Sequence, residues 1–89
     1  MNADDNVELI FSDLCADVEI DGHVLTVEIY KTYLDPGWLL EVVNAFGTST
    51  VFDEPFISDI LAWQQFEMVV KEEGLVAFLT AKEKRRLFH

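Results

Sequence analysis

Residues Leu14 to Ile20 alternate: Leu14, Ala16, Val18 and Ile20 fall on one side, Cys15, Asp17 and Glu19 on the other. A period of two marks a half-buried strand. Asp21-Gly22 follows, a dipeptide that favours the positive φ values of a tight hairpin turn. His23 to Lys31 then supplies β-branched and aromatic side chains suited to a pleated surface. A two-residue loop sets Ile20 opposite His23, Val18 opposite Leu25, Ala16 opposite Val27 and Leu14 opposite Ile29. The other face pairs Glu19 with Val24, Asp17 with Thr26 and Cys15 with Glu28. A slip of one residue would mix the two sets, so the pattern and the turn specify the same hairpin.

Asp35-Pro36-Gly37 signals the next turn. A third strand is predicted over 38–44, with Trp38, Leu40 and Val42 on one face and Leu39, Glu41 and Val43 on the other. Gly47 suits the left-handed position of a three-residue loop. A fourth strand, Thr48 to Phe52, then returns with Leu40 facing Phe52 and Val43 facing Ser49. Pro55 ends the sheet. Ser58 is a good N-cap, Asp59 suits the first turn of a helix, and Gly74 suits its end near Glu73. Ala62, Trp63, Phe66, Val69 and Val70 fill one arc of that helix and should pack on the sheet, while Leu61 and Met68 form a separate narrow stripe. Leu75 to Leu79 fits strand or helix. The following Ala-Lys-Glu-Lys-Arg-Arg run favours a second helix over 76–87. Val7 to Phe11 fits a short helix or a lead-in strand, and residues 1–6 are polar enough to be flexible. The expected fold is α+β: a four-stranded antiparallel sheet of two hairpins, a long helix packed on one face, and a short C-terminal helix.

Charge changes this picture. The 89 residues fit a single domain, 1–89, with 17 Asp and Glu against 6 Lys and Arg, a net charge of −11. Residues 1–60 hold 13 acids and one base, Lys31, giving −12; residues 61–89 hold four acids and five bases, giving +1. Lys82, Lys84, Arg85 and Arg86 make 82–89 a basic tail on an acidic body. A hydrophobic fraction of 51% argues against a disordered acidic segment. The sign of the charge argues against direct nucleic-acid binding. No uncharged apolar stretch is long enough to span a membrane. The acidic start is unlike a secretory signal, and Cys15 is the one cysteine. A cytoplasmic location is expected.

The chemistry is sparse. Asp53, Glu54 and Asp59 gather at the helix start, but their spacing matches no cation-binding loop and suits turns and capping instead. His23 flanks a turn, and His89 is the last residue. Cys15 beside Glu28 would be a poor thiolate. Gly22, Gly37, Gly47 and Gly74 all serve turns or a cap, which leaves no phosphate-binding loop. No catalytic residue, metal site or cofactor is expected, and the chain does not read as an enzyme. The outer sheet face is more informative. It should carry Asp13, Asp17, Glu19, Glu28 and Glu41 among Tyr30, Leu39, Val43 and Val51. Such a mixed apolar and acidic face is an interface candidate, with the Leu61 and Met68 stripe as a second. Trp38 and Trp63 are candidates to line a pocket against the sheet.

Three segments together resemble a known pattern: Trp38-Leu39-Leu40-Glu41-Val42-Val43, Gly47-Thr48-Ser49-Thr50-Val51, and Asp53-Glu54-Pro55-Phe56 with Ser58-Asp59. This is similar to small uncharacterised bacterial proteins of the mobile gene-cassette type, with a W-x-L-E-V-V…G-x-S/T-T-V…D-E-P-F pattern. The resemblance covers residues 38–74, with Phe52 where that pattern carries Trp. It implies a compact α+β domain and no assigned activity. The leading expectation is a non-enzymatic, self-associating interaction protein. The alternatives are an acidic mimic of a nucleic-acid backbone that occupies a basic protein partner, and a small-molecule binder.

Overall fold

Asp21 and Gly22 both adopt positive φ, 51° and 81°, which turns the chain with the twist its flanking strands need. They join β2 (Ala16–Ile20) to β3 (His23–Lys31) in the predicted register, with Ile20 opposite His23, Val18 opposite Leu25 and Ala16 opposite Val27. The computed structural model describes residues 7–88, with side chains as far as Lys84. The expected flexibility of 1–6 therefore falls outside the described residues, as does His89.

The predicted pairing fails one step beyond Ala16. Leu14 does not face Ile29, because residues 12–15 form a turn: the Cys15 N–H donates to the Ser12 carbonyl at 3.2 Å, and the Leu14 N–H to Ser12 Oγ at 3.0 Å. Ser12 takes the place opposite Ile29 instead, donating its N–H to the Ile29 carbonyl at 2.8 Å. Pairing then resumes in β1 (Ile10–Phe11), with Phe11 opposite Tyr30 and Ile10 opposite Lys31. Of the two readings of Val7 to Phe11, the lead-in strand holds. The sheet thus has five strands rather than four, because its first edge is broken in two. Asp13 lies in the turn and not on the outer sheet face. Cys15 lines a shallow pocket together with Glu28, but the two do not pair in the ladder: the Cys15 Sγ accepts the Ile29 N–H at 3.2 Å and donates to the Ile29 carbonyl at 3.4 Å, filling the gap.

The other edge of β3 pairs with β4 (Leu39–Val43), which pairs with β5 (Ser49–Val51), all antiparallel. Val43 faces Ser49 as predicted, and the Phe52 N–H donates to the Leu40 carbonyl at 3.0 Å. Gly47 takes the left-handed position, with φ 86°. Helix α1 (Asp59–Glu73) begins at Ser58, whose side chain accepts the Leu61 N–H, and ends at Gly74 with φ 75°. It lies across β3 and β4. The core joins Leu25, Val27, Ile29, Leu40 and Val42 of the sheet to Ala62 and Phe66 of α1.

The C-terminal segment departs from a single helix over 76–87. Leu75–Phe78 is one 3₁₀ turn, Leu79 is extended, and α2 runs over Ala81–Phe88. Two local causes act together. Leu75 and Phe78 share a face at three-residue spacing and are both buried in the core. Thr80 then caps a new helix: its N–H donates to Glu83 Oε2 at 2.7 Å, while the Glu83 N–H donates to Thr80 Oγ1 at 3.3 Å. This reciprocal capping box is encoded in Thr80-Ala81-Lys82-Glu83.

Candidate interaction surface

Register places the outer-face side chains in rows. Phe11, Tyr30 and Leu39 form one row; Glu28, Glu41 and Val51 form the next; Asp17, Thr26, Val43 and Ser49 form a third. Val51 stands opposite Glu41, and Leu39 and Val43 flank Glu41 in the rows on either side. Glu28 stands directly opposite Glu41, a like-charge pairing that costs free energy on a sheet. Two hydroxyls offset it at Glu41: Tyr30 donates to Oε1 at 2.9 Å, and Ser49 donates to Oε2. Burial raises the Tyr30 phenol pKa, and the Glu41 hydrogen bond and the charges of Glu41 and Glu28 push it the same way. Tyr30 therefore stays a donor to Glu41 at neutral pH. The Tyr30 ring also lies 5.8 Å from the Phe11 ring.

The two tryptophans go to different places. Trp38 bridges to Phe56 by reciprocal backbone hydrogen bonds of 2.8 Å each, with Lys31 Nζ 4.9 Å from its ring centroid. Trp63 lies 5.4 Å from the Phe66 ring and lines a groove of about 260 Å³ with Val18, Ile20, Phe66, Glu67, Val70 and Lys71. Trp38 is not part of that lining.

Two polar links tie the layers together. Ser12 Oγ donates to Asp59 Oδ2 at 2.7 Å, joining the turn before β2 to the start of α1. Asn44 and Glu83, both buried, join the β4–β5 hairpin to α2 through a 3.1 Å hydrogen bond. Glu83 also accepts from the Thr48 hydroxyl and the Thr80 N–H. These bonds, Thr48 foremost, hold its carboxyl below the ordinary value against the opposing effect of burial. His23 faces Phe46 across the hairpin ends, with 6.3 Å between ring centroids. These contacts give the histidine, the serine and the carboxylates structural partners.

Apolar exposure concentrates where β3 ends and β4 begins. Tyr33 and Leu34, in the connection between them, are 70% and 67% exposed, and Ile57 is 90% exposed. Ile60 and Leu61 in the first turn of α1 are exposed, as are Leu9, Ile10 and Phe11 beside β1. The Trp38–Phe56 bridge and the Ser12–Asp59 hydrogen bond draw these segments to the same end. Ile57 precedes the N-cap, where an apolar side chain ordinarily packs on the fourth helical residue. Its exposure shows that this staple is not made. Leu61 and Met68, predicted as a stripe, are 45% and 51% exposed, and Val51 is 49% exposed. Tyr30, Leu39 and Val43 are half-buried within the sheet face. The periodic pattern singles out neither Tyr33, Leu34, Ile57 nor Ile60, because they sit in turns and at a helix start. The legible signal was large apolar side chains beside turn residues, at Tyr33-Leu34 before Asp35-Pro36-Gly37 and at Ile57 before Ser58.

Among the described residues, no group of three or more His, Cys, Asp or Glu is placed to hold a metal ion. No described helix is long and apolar enough to cross a membrane. No protein-family model matches the chain, and no curated protein or solved structure matches it.

Proposed function

We propose that this chain is a non-enzymatic interaction protein that self-associates, with the apolar end of the sheet as its contact surface. One observation carries this reading: Tyr33, Leu34, Ile57 and Ile60, each more than half exposed, gather at one end of a small domain. Large side chains left open together favour burial against a partner. Leu61 belongs to this surface, and the Phe11, Tyr30 and Leu39 row borders it. Self-association also suits a short chain, which gains stability from surface it cannot bury alone. The gene-cassette resemblance assigns no activity and is compatible with a bacterial, cytoplasmic setting of this kind. The acids offer less to a nucleic-acid mimic. Glu67 and Glu72 lie on α1, which packs on the opposite face of the sheet from Asp17, Glu19, Glu28 and Glu41, so the acids are divided between two faces.

Light scattering on the eluting protein tests the proposal. The wild type is expected to run as a dimer or larger species at high micromolar concentration. Leu34→Asp with Ile57→Asp should return it to a monomer that keeps its circular dichroism spectrum, since neither side chain belongs to the core, and should remove the concentration dependence of Tm. A wild type that stays strictly monomeric overturns the proposal.

A further inference from the structure

Strand β2 is a sheet edge with different chemistry on its two faces. It pairs with β3 alone, so the backbone groups on its far side meet no other strand among the described residues. Asp17 and Glu19 are exposed on the outer face, while Val18 and Ile20 are half-buried on the inner face. Helix α1 lies over β3 and β4. The inner face of β2 therefore opens into the groove that Val18 and Ile20 share with Trp63, Phe66 and Val70.

We infer that this edge binds an extended basic segment of a partner protein, which adds to the sheet as a further strand beside β2. An added strand takes its main-chain hydrogen bonds from the edge and its selectivity from alternate side chains. Here one set of alternate side chains enters the apolar groove beside Trp63. The other set lies alongside Asp17 and Glu19, where Lys or Arg is favoured. The wider field agrees, since residues 7–31 hold six acids (Glu8, Asp13, Asp17, Glu19, Asp21, Glu28) and one base, Lys31. A second copy of β2 fits poorly. Antiparallel pairing about Val18 would set Asp17 against Glu19 of the other copy twice over, and like charges in directly opposed positions are destabilising. The edge is thus closed to its own kind and open to a strand of opposite charge. This surface is separate from the apolar end, so it stands whether or not the chain self-associates.

The test uses the intact protein and a fluorescein-labelled peptide alternating Lys and Val, read by anisotropy and by amide protection in residues 16–20. A peptide of the same composition, N-methylated at alternate residues, keeps the charge and removes the hydrogen bonds. The alternating peptide should bind at least about tenfold tighter than the N-methylated one. Asp17→Lys with Glu19→Lys, both exposed, removes the hydrogen bond from the Thr26 hydroxyl to Asp17 and should weaken binding by a similar factor with the circular dichroism spectrum unchanged. Protection should rise along β2. Equal affinity for the two peptides would show a diffuse acidic surface and overturn the inference. So would protection that appears on another element, or no binding at about 1 mM peptide.

Discussion

Asn44 uses every hydrogen-bonding position of its side-chain amide. Nδ2 donates to the Phe78 carbonyl at 2.7 Å and to Glu83 at 3.1 Å, while Oδ1 accepts the Phe46 and Thr48 N–H groups at 2.9 and 3.0 Å. Asn44→Ala removes all four bonds from a buried site, and leaving buried polar groups unpaired should lower unfolding free energy by about 3 kcal/mol in a urea titration. Glu83 adds a pH dependence. Its carboxyl is held below 4.5 in the folded protein. Such a group contributes stability above its unfolded pKa and loses it as pH falls through the folded value. The difference in Tm between wild type and Glu83→Gln should therefore be full at neutral pH and shrink on acidification below about pH 4.5. Gly37 answers to a different constraint. A Cβ there would come within 2.5 Å of the Phe56 carbonyl oxygen. Gly37→Ala should force the Trp38–Phe56 bridge apart, with a cost of about 2 kcal/mol and a visible change in Trp fluorescence. The Asp-Pro-Gly signal predicts the turn at Gly37 but not this approach, which depends on a segment almost twenty residues on. The Asn44–Glu83 contact was equally hidden, since 39 residues separate the partners.

Local rules carry further at the level of elements. Both hairpin registers, the Ser58 cap, the Gly74 stop and the buried arc of α1 all follow from periodicity and turn chemistry within a few residues of each other. Two elements escaped that reading, each for a local reason that competes with the period. Ser12-Asp13 are turn formers, and the Ser12 hydroxyl draws in the Leu14 N–H, so alternation that continues on paper stops in space. At the C-terminus, helix-favouring composition loses to a core anchor followed by a fresh cap. Thr80→Ala should remove one half of that capping box and cost about 1 kcal/mol, read as faster amide exchange in α2 with little change in the sheet. The candidate surface was legible only in part. Outer-face rows follow from register, whereas the exposed end is built from side chains in connections, which have no period to read.

For the molecule as a whole, the net charge of −11 sets solution behaviour more than fold. Outward repulsion among the acids opposes both compaction and association. Adding about 0.5 M NaCl shortens the screening distance to a few ångströms. Salt should therefore raise Tm and, if the apolar end is the contact, increase the fraction of dimer. Approaching the isoelectric point near pH 4.2 should favour association for the same reason.

The two polar links described above also bear on the order of folding. Ser12 and Asp59 lie 47 residues apart, and Asn44 and Glu83 lie 39 apart. The β2–β3 and β4–β5 hairpins close loops of two and five residues. Long closures lose more chain entropy than short ones, so the links form after the hairpins have paired. Substitutions at either link should then leave the refolding limb of a chevron plot unmoved and raise the unfolding limb. The rate of unfolding is therefore expected to respond to the Ser12–Asp59 and Asn44–Glu83 contacts more strongly than to the hairpins.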